Sequence, residues 1–307
     1  MKKELGLIAI IAAIGANFLW GSTFMASKVV LSQCPPVTAI FIRFAIAAII
    51  FGFIALLREN DFQFANVRAR FGELLGLGFF GFSGLYILQM TALKHITSSQ
   101  SAAIMLLAPV FTLITDSILK KELRLREALI TVIGLIGASA ILFDQYRVDF
   151  TGVAFHGLLL TIGASLCLGV SVIQTKRLLA VSKQGSGFTV FNLTFYSVLI
   201  GLLGLVPFLI LEQANSNQSI PITPAFWMWS AYLGILCSVV AFLVWNWSIK
   251  HVSPIAAAVA MYLKTPVALG VGAVLLHENL TLVFYAGTLL ILATLFSNQL
   301  VLARGSK

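Results

Sequence analysis

Apolar residues run along this chain in blocks of roughly twenty, the length a helix needs to cross a bilayer, and short connections between them hold nearly all of the charge. Ten blocks are found: residues 5–30, 36–57, 71–93, 98–119, 125–143, 152–175, 188–211, 226–249, 253–276 and 280–302. Peptide groups in lipid have no water to bond, and the blocks lack the alternation of barrel strands, so the pattern predicts transmembrane helices. The block at 125–143 is short and opens beside Arg126 and Glu127, yet omitting it would leave too long an apolar segment unassigned.

One stretch, from Lys250 to Glu278, breaks the pattern because Lys264 sits near its middle. About ten residues separate that lysine from either end, roughly 15 Å at helical rise, whereas a lysine stem reaches only about 6 Å. An ionisable group at such depth marks a functional site by default. Among the acids only Asp116 lies deeper than a turn from a block end, and Lys120 stands at i,i+4 to pair with it. No carboxylate at mid-block depth is therefore ready to neutralise Lys264. Two readings stay open: an amine held by backbone and hydroxyl groups, or an ammonium in a water-accessible cavity that pairs with an anionic group of a substrate or carries a proton each cycle. Arg43, seven residues into the second block, is read either as a structural group on helix-end carbonyls or as a substrate ligand.

Composition agrees with the blocks. The 307 residues are 59% hydrophobic and 10% charged, with a mean hydropathy of +0.99, too apolar for a domain whose surface must be wetted. The net charge of +9 does not argue for a nucleic-acid partner, because the basic residues follow the positive-inside rule. Fifteen lysines and arginines fall in the termini and even-numbered connections, against Lys28, Lys94 and Arg147 on the other side. Both termini are thus expected in the cytoplasm, with the chain in an inner or plasma membrane. Met1, Lys2 and Lys3 precede a run longer than a signal-peptide core, so the first block is expected to remain as a helix. Cys34, Cys167 and Cys237 have neither metal-ligand nor redox spacing and are expected as free thiols.

The chain also repeats itself. Residues 15–28 lie over 163–176 at an offset of 148, matching Gly15 with Gly163, Ala16 with Ala164, Gly21 with Gly169 and Lys28 with Lys176. Residues 93–97 lie over 249–253 at an offset of 156, and Pro109 and Pro266 fall one residue out of that step. Five helices per half is an odd number, so the halves, residues 1–147 and 148–307, should be inserted upside down to one another. Inverted repeats place substrate at their interface near the midplane. Pro109 and Pro266, read as hinges within their helices, would leave the carbonyls of Met105 and Tyr262 free.

These residues resemble the drug/metabolite transporter superfamily, specifically its EamA-type ten-helix exporters. The resemblance is carried by Trp20-Gly21-Ser22, Arg43-Phe44, Thr91-Ala92-Leu93, Ala108-Pro109-Val110-Phe111 leading to Lys121-Glu122-Leu123, and Thr265-Pro266-Val267 leading to His277-Glu278-Asn279-Leu280. It covers essentially the whole chain and implies an all-α integral membrane fold that exports or exchanges amino acids or small metabolites by alternating access. Lys264 departs from it, since such proteins usually have an apolar or small polar residue there. Substrate-binding candidates are Lys264, Tyr262, Trp20, Asn17, Arg43, Tyr86, Gln89 and Trp245, with Gln100, Tyr196 and Asn246 as further polar or aromatic options. The expected partners are a small-molecule substrate and the lipid bilayer, with no nucleic acid, no metal and no cofactor, in a monomer or homodimer. A membrane-embedded enzyme and an exporter of lipophilic cations stand as alternatives. The first lacks a clustered catalytic set, and the second lacks an acid between Ile8 and Val30.

Overall fold

The structure, a computed structural model, describes residues 2–57, 62–96, 101, 104–122, 124–146, 155–180, 187–215, 223–253, 257, 259–264 and 281–302. Every regular element among them is helical. The first half contains α1 (Lys2–Leu31), α2 (Pro36–Leu57), the short α3 (Phe64–Ala69), α4 (Phe71–Gly78), α5 (Gly84–Ala92), α6 (Ala108–Lys120) and α7 (Leu125–Tyr146). The second contains α8 (Phe155–Leu179), α9 (Val190–Asn215), α10 (Pro224–Gly234), α11 (Ala241–His251) and α12 (Leu282–Leu302). A π-helical turn, Phe79–Ser83, joins α4 to α5, and another, Ile235–Val240, joins α10 to α11. Among the described residues six rods are long and apolar enough to cross a membrane: α1, α2, α4 with α5, α8, α9, and α10 with α11.

Two blocks differ from expectation. The fourth was predicted as one helix over 98–119, but a 104–107 turn closed by Leu107 N donating to Ile104 O at 3.0 Å precedes α6. Pro109 is consequently in the first turn of a helix and not inside one. Its missing N–H costs nothing there, because the first helical N–H groups have no acceptor in any case. The ninth block tightens into a 3₁₀ turn, Met261–Leu263, immediately before Lys264. Pro266, His277, Glu278, Gln100 and the expected boundary at 147/148 lie outside the described residues.

Packing crosses between the halves. α1 lies against α10 and α11, α8 against α4, α5 and α6, and α2 against α9 and α10, while α7 and α12 pair with each other. The crossing of the first π turn with α9 is close enough to need glycine: a Cβ on Gly201 would stand 2.4 Å from Phe82 Cβ, and one on Gly78 2.4 Å from Ile200 Cγ2. Outward faces carry Ile49, Phe53, Leu56, Leu203 and Ile210, all more than 60% exposed, which suits lipid and not water.

Helix ends are satisfied across the same boundary. Glu212, at the end of α9, accepts from Val37 N at 3.0 Å and from Thr38 N at 2.7 Å, capping α2. Gln63, just after α2, accepts from Thr189 N at 2.9 Å before α9. Within the second half, Lys176 Nζ donates to Ile249 O, Lys250 O and Val252 O at 2.7, 2.8 and 2.7 Å, closing the last turn of α11. Cys34 sits near the α2 cap, and burial followed by the Glu212 charge pushes its thiol up to about 11, leaving it neutral. Replacing Glu212 by Ala removes a charged cap from two peptide N–H groups. The expected loss is about 1–2 kcal/mol, read by thermal unfolding in detergent, with Glu212→Gln losing less because it retains an acceptor.

Candidate functional site

A cavity of about 80 Å³ opens at the centre, between helices of both halves. α1 presents Trp20, Thr23 and Ser27 to it, one face at helical spacing. α8 presents Leu168, Ser171 and Thr175 with the same spacing. Tyr86, Gln89 and Met90 come from α5, and Phe242, Trp245 and Asn246 from α11. The lining's cations are Arg43 and Lys264, and it holds no carboxylate among the described residues.

The second π turn organises the polar side of this space. A π turn inserts one extra residue into the helical ladder and loosens its carbonyls from their usual partners. Ser238 Oγ donates to Leu233 O at 2.9 Å, five residues back, while accepting from Arg43 Nε at 2.8 Å. The Cys237 carbonyl accepts twice, from Trp20 Nε1 at 3.0 Å and from Arg43 Nη2 at 3.2 Å. Arg43 is 3% exposed and its guanidinium lies 4.9 Å from the Tyr86 ring centroid and 5.6 Å from that of Phe44. These contacts fix its plane on both the hydrogen-bonding and the aromatic side.

Lys264 is held differently. Its Nζ lies over the Trp20 indole, 4.6 Å from the ring centroid, and it forms no ion pair among the described residues. Trp20 meets Phe242 and Trp245 edge-on, each at a centroid distance of 5.3 Å. One indole thus touches the second-half aromatics, the Cys237 carbonyl and the lysine ammonium. Asp116 accepts from Lys120 at 2.6 Å, the pairing its i,i+4 spacing predicts.

Lys264, Trp20, Arg43, Tyr86, Gln89 and Trp245 therefore surround one cavity. Asn17 and Tyr262, expected beside them, do not line it. Asn17 is fully buried three residues before Trp20 and donates to Ala13 O at 2.8 Å. Tyr262 packs against α7, with its hydroxyl on Thr131 O at 3.2 Å and its ring where a Cβ on Gly134 would come within 2.6 Å. It fastens the 3₁₀ turn to α7. Pro109 is also outside the lining, and Tyr196 turns to Phe62 O at 2.7 Å. The hydroxyls Thr23, Ser27, Ser171, Thr175 and Ser197 were missed as cavity groups, since a single serine or threonine in an apolar helix is unremarked. The signal was present all the same, because the 148-residue offset carries Trp20, Thr23 and Ser27 onto Leu168, Ser171 and Thr175.

A second, wider space of about 720 Å³ adjoins the start of α2 and the ends of α5 and α9. It shares Met90 and Leu93 with the central cavity, so those two side chains stand between them. Toward the end of α8 the helices are instead tied by Lys176 and by Arg70, which donates to Arg177 O at 3.0 Å and Leu178 O at 3.4 Å.

The EamA-like transporter family matches this chain twice, over residues 7–143 and again over 155–298. The chain belongs to that family. At 22% identity, across 99% of both chains, it is similar to the uncharacterized transporter YoaV of Bacillus subtilis (strain 168). A biotin transporter of Escherichia coli (strain K12) is 26% identical over 85% of this chain and 83% of its own. A probable amino-acid metabolite efflux pump of Salmonella typhimurium is 26% identical over 97% and 95%. A solved crystal structure shares the fold with a TM-score of 0.75 at 18% identity, covering 97% of this chain and 99% of that one. The family and these relatives are named as transporters, and the apolar rods make this EamA-like transporter a multi-pass membrane protein.

Removal of Arg43 should strip the π turn of its main partner. Arg43→Met is expected to cost about 2–3 kcal/mol in thermal unfolding, and Arg43→Lys most of that, because an ammonium cannot reproduce the fork or the stack on Tyr86.

Proposed function

We propose that the chain is a secondary transporter that carries amino acids or small, anionic metabolites through the central cavity by alternating access. Ten helices in two inverted five-helix repeats, with both termini cytoplasmic in an inner or plasma membrane, form the scaffold of this reading. Three observations support the duplication. The family matches twice. The π turns begin at Phe79 and Ile235, 156 residues apart, the offset that aligns 93–97 with 249–253. The cross-packing is reciprocal, α1 on α10 and α11 answering α8 on α4 and α5. The strong excess of lysine and arginine on one side supports the orientation.

The observation that carries the transport reading is Lys264, an ammonium in a cavity between the halves, resting on an indole with no carboxylate in the described lining. Such a group is costly in a membrane unless it faces a cavity or has a partner, and an anionic substrate would be that partner. The cavity is smaller than the roughly 300–1,000 Å³ of drug-sized ligand sites, so the helices must part to admit a substrate. Met90 and Leu93, between the cavity and the wider space, are the side chains that must move first on that side. The relatives' cargoes, biotin and amino-acid metabolites, define the panel to try.

Liposomes containing the purified chain are expected to show exchange or uphill flux of at least one member of a panel of biotin, amino acids and carboxylates. Lys264→Met should abolish that flux, and Lys264→Arg should retain part of it. Wild-type flux in Lys264→Met would sink the assignment of the residue, and no flux with any member would sink the panel.

A further inference from the structure

We propose that the cavity selects organic carboxylates with an apolar body and no ammonium group, and that Lys264 waits on the Trp20 indole until the carboxylate draws it away. The proposal rests on reading this cavity as the transport site.

The first argument is charge. Arg43 and Lys264 both line the space, and no described lining residue is acidic. The described acids nearby are engaged elsewhere: Asp116 with Lys120, Glu73 with Arg70, and Glu212 with the first turn of α2. A zwitterionic amino acid would bring an α-ammonium into a site that repels it twice and offers no anion to hold it. The hydroxyls do not replace an acid. Thr23 Oγ1 donates to Trp20 O at 2.6 Å and Ser171 Oγ to Leu168 O at 2.8 Å, leaving only neutral lone pairs toward the cavity.

The second argument is the unequal hold on the two cations. Arg43 is pinned by Ser238, Cys237 and the Tyr86 ring, so it acts as a fixed charge. Lys264 has a flexible stem and a cation–π contact at 4.6 Å. A carboxylate offers an ammonium a charged hydrogen bond, a stronger partner than an aromatic face. The exchange from indole to carboxylate is therefore favourable for an anion and unavailable to a neutral ligand. Phe82, Leu85, Met90, Met105, Phe242 and Trp245 make a large apolar part of the wall that suits a hydrocarbon body, beside the neutral polar groups of Gln89 and Asn246.

Matched ligands test this on the full chain in detergent. 3-Methylbutanoate and valine share one carbon skeleton and a carboxylate and differ only in the α-ammonium, and 3-methylbutanamide removes the charge instead. Titration calorimetry is expected to show 3-methylbutanoate binding at least tenfold more tightly than either of the others. Emission from Trp20, taken as wild type minus Trp20→Phe, should shift on adding 3-methylbutanoate as the ammonium leaves the indole. Lys264→Met should lose both the binding and the shift, with its ligand-free melting temperature checking that it folds. The wild-type ligand series decides the matter alone if it does not. Valine or the amide binding as tightly as the carboxylate would overturn the selection. So would a carboxylate that fails to bind or that leaves Trp20 emission unchanged. Should Lys264→Met bind 3-methylbutanoate like wild type, the cavity reading itself falls. Should it lose valine and 3-methylbutanoate together after equal wild-type binding, the site stands and only the selectivity falls.

Discussion

A peptide carbonyl inside a membrane must find a donor within the protein, and at Cys237 that requirement brings the two halves of the chain together. The π turn Ile235–Val240 loosens the carbonyl from its own helix, and Trp20 from α1 and Arg43 from α2 both donate to it. Each consequence leads inward. Arg43, once fixed on this carbonyl and on Ser238, stacks on Tyr86 of α5. Trp20, fixed by its Nε1, turns one face to Lys264 and its edges to Phe242 and Trp245. A local irregularity in one helix thereby sets the orientation of four other elements and the walls of the cavity between them.

The same requirement governs the helix ends. α2 is capped by a residue at the end of α9, the start of α9 by one after α2, and the end of α11 by Lys176 of α8. The first two of these bonds cross from one half to the other, so a relative movement of the halves must break or remake them, whereas the third ties two helices of the second half. Each end of the molecule carries such a tie. Near α2, where the central cavity and the 720 Å³ space share Met90 and Leu93, Glu212 of the second half holds the first turn of α2. Near the end of α8, Arg70 of the first half donates to Arg177 O and Leu178 O. A movement that opens either side therefore disturbs charged hydrogen bonds between the halves.

Much of this was legible in the chain. Block length and apolarity predicted the long helices to within a few residues, because a membrane-spanning helix is specified by composition alone. Lys264 and Arg43 stood out because charge in such blocks is costly. What could not be read were the departures from regular helix. Neither π turn has a compositional signature, so the partners of Arg43 were invisible. The early stop before Pro109 turned an expected mid-helix kink into an ordinary helix start. Tyr262 was misplaced for a plainer reason: residues two apart on a helical turn do not share a face, so Tyr262 reaches Thr131 while Lys264 lines the cavity. The 148-residue offset pairs Thr23 with Ser171 and Ser27 with Thr175, but a lone serine or threonine in an apolar helix carries no sign that it faces a cavity.

That offset also exposes where the two halves differ. Thr23 and Ser27 answer Ser171 and Thr175 with the same chemistry, but Trp20 answers Leu168, and Lys264 stands at 156 residues from Ala108. A duplicated scaffold would give a cavity with matching ends, and both departures lie at one end, where indole and ammonium meet. Leu168 and Met105 contribute hydrocarbon to the same lining, where Trp20 and Lys264 contribute an indole and a charge. The lining is therefore less alike between the halves than the offset alone would make it, because a change of one side chain alters what the cavity presents without disturbing the packing of the helices that carry it.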